Sequence, residues 1–201
     1  MDFGLSQEQQ MLAESVTRLL RELCPLDEVR HVAEGASAIS AQTQAALAEM
    51  GLPGLVVPEA HGGLGMGMLD AAVVATALGE AVAPVPFAGR NVMAPLALIE
   101  AGTEAQKAQW LPKMASGEAR FGVGVQQLVS NRDGSGLLCT DGKLTGATLF
   151  VLDCEGADYF LVADQTGRLH IVSVQADELQ LIDLKTIDAT RSVGELRLAS
   201  T

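Results

Sequence analysis

The sequence pattern changes from helical to strand-like between residues 103 and 125, which read TEAQKAQWLPKMASGEARFGVGV. Thr103 and Gln106 occupy the two ends of a capping box, in which each side chain bonds the other residue's backbone N–H, so a helix opens here. From Phe121 to Val125 the pattern is that of a strand. The sequence therefore predicts a boundary near Arg120, with helices before it and strands after it.

Helical spacing runs through the part of the chain before this boundary. Ser6 and Gln9 form another capping box, and the apolar residues that follow recur at helical intervals until Pro25 ends the helix. The glycine-rich segment 58–67 lacks the context of a dinucleotide-binding loop, so we interpret it as an architectural turn. Residues 83–90, with two prolines and a glycine, are also predicted to turn. Further helices are predicted at 40–50, at 70–78 with Asp70 as its cap, at 91–101 and from 103 to Trp110.

Short strands with tight turns follow the boundary. Asp141-Gly142 and the segment 164–167 separate apolar runs and predict two hairpins, because their residues accept the backbone angles of a tight turn. Together these patterns predict an α+β protein with an all-α helical domain at 1–120, followed by an antiparallel β-barrel or sandwich domain at 121–201. The predicted strands after the first are 137–140, 143–149, 159–163, 168–174, 179–184 and 195–198.

Composition excludes several classes of function. Lys and Arg number 13 against 25 Asp and Glu, a net charge of −12, and aromatic residues make up 3%. We therefore expect neither nucleic acid nor an anionic membrane as a partner. The three cysteines show no CxxC spacing and the three histidines lie far apart, so no disulfide framework and no metal site is predicted. No apolar run reaches bilayer length and the N-terminus lacks signal-peptide features, so we expect a cytoplasmic protein.

Two segments carry a resemblance to a known family. Residues 57–65, VPEAHGGLG, resemble the loop that reads PEEYGGLG in acyl-CoA dehydrogenases, and residues 110–118, WLPKMASGE, are similar to the segment that leads into that family's middle β-domain. Residues 50–55 and 101–107 also occur in the family's order and spacing. The resemblance covers essentially the whole chain, and the motifs are strong together because they appear in order.

The resemblance implies a flavoprotein. Acyl-CoA dehydrogenases have a helical domain, a middle β-domain and a C-terminal four-helix bundle, with FAD between the last two and partly held by a neighbouring subunit. They carry out α,β-dehydrogenation of an acyl-CoA thioester and pass electrons to an electron-transferring flavoprotein. The sequence stops at Thr201, where the middle domain would be finishing, so the bundle and its catalytic glutamate are expected outside it. We therefore assign no catalytic residue, expect the chain alone to be inactive, and expect it to form a homo-oligomer or a hetero-oligomer.

Cofactor-binding candidates follow from the same resemblance. Val125, Gln126 and Gln127 match a flavin-facing strand end that reads Val-Thr-Glu in the family, and a glutamine amide can donate to the flavin ring. The alternative is that both glutamines merely end a strand at the surface. The polar turn that follows contains Arg132, for which a contact with a CoA phosphate and a plain surface position are both open.

A second candidate segment matches the family's GTKxWIT strand. Phe150, Val151 and Leu152 occupy its Trp, Ile and Thr positions, and Thr148 its Lys position. The resemblance implies that Phe150 packs against the ring system and that backbone groups of Val151 and Leu152 bond its edge. The alternative is a plain buried strand.

Three interpretations of function stay open from the sequence. The chain is either the front portion of an FAD-dependent acyl-CoA dehydrogenase or a non-catalytic partner subunit of a heteromeric dehydrogenase with a degenerate flavin site. A binding module that kept the fold and lost the reaction is the third. An absorbance spectrum at the flavin bands bears on this choice: a yellow protein favours the first interpretation, and a colourless one leaves the other two, or a flavin site that needs the missing domain.

Overall fold

The computed structural model describes residues 4–35, 37–129 and 135–201. The chain begins with helices. They are α1 (Gln7–Leu23), α2 (Leu26–Glu34), α3 (Ala41–Glu49), α4 (Met68–Glu80), α5 (Ala94–Ala101) and α6 (Glu104–Ala115), with 3₁₀ turns at Leu52–Gly54 and Glu59–His61 and a π-helical segment at Ala88–Met93.

The first capping box forms as the sequence predicts. The Ser6 hydroxyl accepts a bond from the Gln9 backbone N–H at 3.2 Å, and the Gln9 amide oxygen accepts one from the Ser6 N–H at 3.0 Å. Val16 and Leu20 of α1 are buried in the core that this helix shares with α4. The helix α2 was not predicted, because only Val29 and Val32 among its nine residues are buried and its other side chains face outward.

Two helix starts differ from the sequence predictions. Asp70 is not the cap of α4 but lies inside its first turn, where its carboxylate accepts bonds from the Gly67 N–H at 2.8 Å and from Gln9 Nε2 at 3.0 Å. The predicted turn at 83–90 ends early, because Ala88–Met93 forms a π-helical segment that continues into α5. The helix α6 extends past Trp110 to Ala115 even though Pro112 lies inside it.

After the helices, the described residues form one sheet of seven strands: β1 (Phe121–Gly124), β2 (Gly136–Thr140), β3 (Lys143–Leu152), β4 (Tyr159–Ala163), β5 (Leu169–Ser173), β6 (Leu179–Asp183) and β7 (Val193–Ala199). Its order is β5-β4-β1-β3-β7-β6, and β2 pairs with β3 outside this path. The β2–β3 hairpin turns at Asp141 and Gly142, both with positive φ, as predicted. A short helix, α7 (Gln126–Val129), follows β1.

The α+β class and the order of helices before strands are confirmed, but the sheet is mixed rather than strictly antiparallel. β1 and β4 run parallel, while the other pairings are antiparallel. The starts of these two strands are linked: the Asp158 and Tyr159 N–H groups donate to the Arg120 carbonyl at 2.8 and 3.1 Å, and Arg120 Nη2 contacts Asp158 Oδ1 at 2.8 Å. Both strands therefore begin at the same end of the sheet.

One hydrophobic core joins the helices to the sheet. The edge of the Trp110 ring contacts both Phe121 and Tyr159, with centroid distances of 5.6 and 4.7 Å, so α6 is packed on β1 and β4. The buried members of this shared core are Val57, Ala94, Leu98, Leu111, Met114, Ala119, Phe121, Val123 and Leu161.

Division into two domains at residue 120 stays a prediction. Among the described residues, no helix combines the length and apolar character needed to cross a bilayer.

Candidate functional site

The two segments proposed to hold the cofactor meet inside the sheet, where β1 ends beside the last residues of β3; we call this place, residues 125–127 and 150–152, the candidate flavin edge. Val123 of β1 pairs antiparallel with Leu152 of β3, so the chain that leaves β1 runs beside the end of β3. Val125 follows β1 directly, and α7, which Gln126 begins, packs against β3 and β4. The glutamines therefore do not end a strand, which was one of the two alternatives from the sequence, but open a short helix.

Each of the two glutamine side chains has one buried polar atom that makes no hydrogen bond within the described residues. Gln126 Oε1 and Gln127 Nε2 are inaccessible to solvent and have no hydrogen-bond partner in the described part of the chain. A buried polar group without a partner costs about 1–3 kcal/mol, so native structures usually give such groups a partner. The pair offers one acceptor and one donor at the same edge. A planar heteroaromatic ligand with alternating carbonyl and N–H groups, such as the polar edge of a flavin, matches this pair.

The end of β3 has an irregular backbone beside these glutamines. The pairing of β3 with β7 shifts register between Thr148 and Val151, and Phe150 inside this bulge has φ 56°. A left-handed backbone at a bulky residue stores strain of about 1–3 kcal/mol, and such strain clusters at functional sites. The Phe150 side chain is 48% exposed. A flat aromatic side chain is thus half-exposed at the same edge as the buried amides.

The other residues of the second segment contribute differently. Val151 is fully buried in the core of the sheet, so only its backbone is available to a ligand. Leu152 is half-buried. Thr148 is fully buried as well, and its hydroxyl donates to the Gly124 carbonyl at 3.5 Å. The position that matches the family's Lys is therefore a packing position between β1 and β3.

The buried carboxylate of Asp153 connects the candidate flavin edge to the helical part of the chain through hydrogen bonds. Asp153 follows Leu152, is 8% exposed, and its Oδ2 accepts bonds from the Gly89 and Arg90 N–H groups at 2.8 and 2.9 Å. Burial raises the pKa of Asp153, and the two N–H groups and the Arg90 charge oppose that rise. The π-helical segment is thus held directly against the end of β3.

Two arginines complete the same junction. Arg90 is 7% exposed and donates through Nη2 to the carbonyls of Asp153 and Glu155 at 3.3 and 2.8 Å. Burial lowers the pKa of Arg90, while the nearby Asp153 carboxylate raises it. Arg191 donates to the carbonyls of Ala83 and Val85, at 2.9 and 2.7 Å. Sequence reasoning missed this junction, because Gly89 and Arg90 lie in the segment predicted as a turn and their partners lie more than sixty residues away.

The other residues and motifs considered from the sequence have structural or undescribed positions. His61 is half-buried on the 3₁₀ turn Glu59–His61. The glycine-rich loop is architectural: a Cβ on Gly63 would lie 2.1 Å from the Val57 carbonyl oxygen, so only glycine allows this approach. Arg132 lies outside the described residues. The two buried carboxylates among the described residues, Asp153 and Asp164, already accept several hydrogen bonds each, so neither is poised as a base.

The sequence of this chain is similar to a protein-family model and to known proteins. Residues 6–118 match the family model described as "Acyl-CoA dehydrogenase, N-terminal domain". The chain is 37% identical over 117 residues to (2S)-methylsuccinyl-CoA dehydrogenase of Cereibacter sphaeroides, covering 57% of this chain and 21% of the relative. It is 34% identical over 181 residues to acyl-CoA dehydrogenase IpdE2 of Mycobacterium tuberculosis, covering 87% of this chain and 53% of the relative.

Solved structures show the same similarity. The crystal structure of the ChsE4-ChsE5 complex from Mycobacterium tuberculosis superposes with a TM-score of 0.88 at 25% identity, covering 100% of this chain and 56% of that one. The chain therefore spans about half, or less, of the length of the relatives it matches.

Proposed function

The chain belongs to the acyl-CoA dehydrogenase family, and we propose that it supplies the helical and β portions of an FAD-dependent enzyme that dehydrogenates an acyl-CoA thioester. One observation carries this proposal: Gln126 and Gln127 bury an unpartnered acceptor and an unpartnered donor beside the half-exposed Phe150. The same edge is the one that the resemblance assigns to the flavin.

The proposed roles follow from the chemistry of each group. The amides of Gln126 and Gln127, whose unpartnered atoms are closed to solvent, would turn outward to bond the polar edge of the ring system, and Phe150 would pack against its flat face. The backbone of Val125, Val151 and Leu152 would bond the ring edge. Bound FAD supplies the hydride acceptor for α,β-dehydrogenation. The Asp153 junction would hold this edge rigid, since it fixes the residue next to Leu152 at two N–H groups.

The proton-removing base is proposed to lie outside these 201 residues. A base must reach the proton that it removes, and the buried carboxylates of the described residues are bonded within the fold. We therefore expect no turnover of an acyl-CoA with an artificial electron acceptor by this chain alone. An electron-transferring flavoprotein and a second copy or a second subunit are the proposed protein partners.

Flavin binding by the protein tests the proposal. The purified protein is titrated with FAD while the quenching of flavin fluorescence is followed, and the variants Gln126→Ala and Gln127→Ala are titrated in the same way. We expect saturable binding by the unaltered protein and a dissociation constant about tenfold higher for each variant, because a lost hydrogen bond of this kind is worth about 1 kcal/mol or more.

The matched control is Gln42→Ala, which removes an exposed glutamine of α3. It is expected to bind FAD as the unaltered protein does. Equal affinities in all four proteins would contradict the assigned roles of Gln126 and Gln127. Failure of the unaltered protein to bind FAD at all would contradict the FAD-dependent function for this chain.

A non-catalytic partner subunit is the second candidate. It is favoured by the replacement of the family's Thr and Glu by Gln126 and Gln127, and of its Thr by Leu152. It is also favoured by the similarity to the ChsE4-ChsE5 complex, which contains two differently named chains. Co-expression with a dehydrogenase subunit that carries the C-terminal bundle separates the two candidates. An active complex whose flavin content is unaffected by Gln126→Ala and Gln127→Ala supports the partner subunit and contradicts the first proposal.

A further inference from the structure

The fold brings together three side chains of types that bind metal ions, two from the β4–β5 hairpin and one from β2. Cys139 of β2, Asp164 after β4 and His170 of β5 each place a ligand atom, a thiol sulfur, a carboxylate oxygen and a ring nitrogen, within 4.8 Å of the other two. The sequence predicts no metal site because the histidines are scattered and no CxxC occurs. The cluster arises only from strand pairing.

Strand alternation explains why these three side chains converge. Leu137, Val162 and Val172 are buried in the core of the sheet, and each lies two residues from one member of the cluster. Residues two apart in a strand share a face, so Cys139, Asp164 and His170 continue the inner face of the sheet to its end. The β4–β5 turn is joined to β2 there by a bond from the Gln165 N–H to the Leu137 carbonyl at 2.8 Å.

Asp164 is held in place as an anion. It is 2% exposed, and its Oδ1 accepts bonds from the Thr166 N–H, the Thr166 hydroxyl and the Arg168 N–H at 2.7, 2.6 and 3.1 Å. Burial opposes ionisation, but the hydrogen bonds from Thr166, His170 and Arg168 hold the pKa of Asp164 well below its usual value. Its Oδ2 faces His170 Nε2 at 2.9 Å. One carboxylate oxygen thus accepts its hydrogen bonds from the β4–β5 turn, and the other contacts the imidazole of His170.

We propose that Cys139, Asp164 and His170 form a binding site for Zn²⁺. Thiolate, imidazole and carboxylate are the ligands that this ion takes in proteins, at about 2.0–2.3 Å. Tetrahedral geometry at these lengths puts ligand atoms about 3.3–3.8 Å apart, so the Asp164–His170 pair, now 2.9 Å apart, has to open by about half an ångström while the Cys139 sulfur moves in by about an ångström at most. The ion takes the place of the proton between Asp164 Oδ2 and His170 Nε2, and the Cys139 thiol releases its proton to water.

An ion can reach this cluster from solvent. The His170 side chain is 24% exposed, so the cluster is not closed to solvent. Three protein ligands leave the fourth position of a tetrahedral ion to a water molecule. Bound Zn²⁺ ties the β4–β5 hairpin to β2, and a ligand that binds only the folded protein raises its stability. The site is independent of the proposed flavin edge.

Cobalt and zinc titrations of tag-free, metal-stripped protein test this site. Co²⁺ replaces Zn²⁺ as a spectroscopic probe, and we expect a thiolate-to-cobalt charge-transfer band that saturates at one equivalent. Zn²⁺ should abolish that band by competition and raise the melting temperature. Cys139→Ser should remove the band, and both Cys139→Ser and His170→Ala should weaken Zn²⁺ binding by at least tenfold against a chromophoric chelator.

The control is His61→Ala, which removes a histidine on the helical side of the molecule and should leave both titrations unchanged. Circular dichroism establishes that each variant is folded. Absence of the charge-transfer band in the folded, unaltered protein overturns the proposal without any variant. Retention of the band in Cys139→Ser, or of full Zn²⁺ affinity in His170→Ala, overturns it as well.

Discussion

At the scale of single residues, Gly89 shows how closely the helices approach the sheet. A Cβ at this position would lie 3.0 Å from Asp153 Oδ2 and 3.3 Å from Leu152 Cβ. The Gly89 N–H also donates to that carboxylate at 2.8 Å. The absence of a side chain is therefore part of the junction that holds the candidate flavin edge.

Gly89→Ala is expected to lower the free energy of unfolding by about 1–3 kcal/mol, the usual cost of forcing an extra carbon into a packed site. Urea denaturation at neutral pH measures the change. Because Leu152 and Asp153 would have to shift to admit the methyl group, the same variant should also weaken FAD binding.

Gly79→Ala is the matched control for this change. Gly79 lies in α4, and a Cβ there meets no atom within 4 Å. Alanine is a better helix former than glycine, so this variant should gain up to about 1 kcal/mol. An unfolding free energy for Gly89→Ala equal to that of the unaltered protein would show that the junction tolerates a side chain.

At the scale of elements, the ion pair of Arg120 and Asp158 joins the starts of β1 and β4. The guanidinium donates from Nε to Asp158 Oδ2 and from Nη2 to Oδ1 at 2.9 and 2.8 Å, and the Arg120 N–H also donates to Oδ2 at 3.0 Å. The Arg120 hydrogen bonds hold the pKa of Asp158 below its usual value, although burial opposes this. The two strand starts are thus joined by a charge-dependent link.

Asp158→Asn should lower the free energy of unfolding at pH 7 by about 1 kcal/mol, a modest value because solvent partly screens the pair. A carboxyl whose pKa is lowered on folding stabilises the protein above its unfolded pKa, about 3.9, and loses that contribution as pH falls through the lower, folded value. The difference between variant and unaltered protein should therefore shrink in urea titrations below pH 4.

Asp27→Asn serves as the comparison for that titration. Asp27 pairs with Arg30 on the surface of α2, and its side chain is 96% exposed. Its removal should change stability by less than about 0.5 kcal/mol at any pH. If the difference in unfolding free energy between Asp158→Asn and the unaltered protein stayed constant from pH 7 into the acid range, the charge of Asp158 would not contribute to stability.

At the scale of the whole molecule, apolar side chains are exposed around the candidate flavin edge. Leu128 and Val129 of α7 are 53% and 82% exposed, and Phe150 of β3, the strand against which α7 packs, is half-exposed. Exposed apolar surface of this kind marks an interaction site more often than a surface meant for water. The expected association of the chain thus has a specific location, the outer face of α7.

We expect light scattering during gel filtration to show an assembly larger than the 20.9 kDa chain. The double variant Leu128→Asp/Val129→Asp should shift the protein toward the monomer, because a charge buried in an apolar contact is costly. Met11→Asp, which changes an exposed apolar residue of α1, should leave the assembly unchanged. A monomer for the unaltered protein at high concentration would contradict the prediction of an oligomer.

Particular residues show how far the sequence predicts this structure. The capping boxes at Ser6 and Thr103 and the hairpin turn at Asp141 form as predicted, because each depends on residues within a few positions of one another. The π-helical segment at Ala88–Met93 differs from the predicted turn, since its N–H partner Asp153 is remote in sequence. Local rules have no access to such partners.

The candidate site divides in the same way. The resemblance singles out Gln126 and Phe150, but the unpartnered amide atom, its burial and the left-handed backbone appear only when β1 lies beside β3. The Asp153 junction could not be found from the sequence, because a buried carboxylate is distinguished from a surface one only by its tertiary surroundings.

The amino-acid sequence by itself determined the order of helices followed by strands and the family resemblance, because periodicity, caps and motif order are local properties of the chain. Only the tertiary structure decided that β1 and β4 run parallel, that Asp153 bonds Gly89, and that Cys139, Asp164 and His170 share one end of the sheet. Each of these depends on which strands pair. Pairing is set by the burial of the whole apolar face and by links such as that of Arg120 with Asp158, which no short stretch of sequence contains.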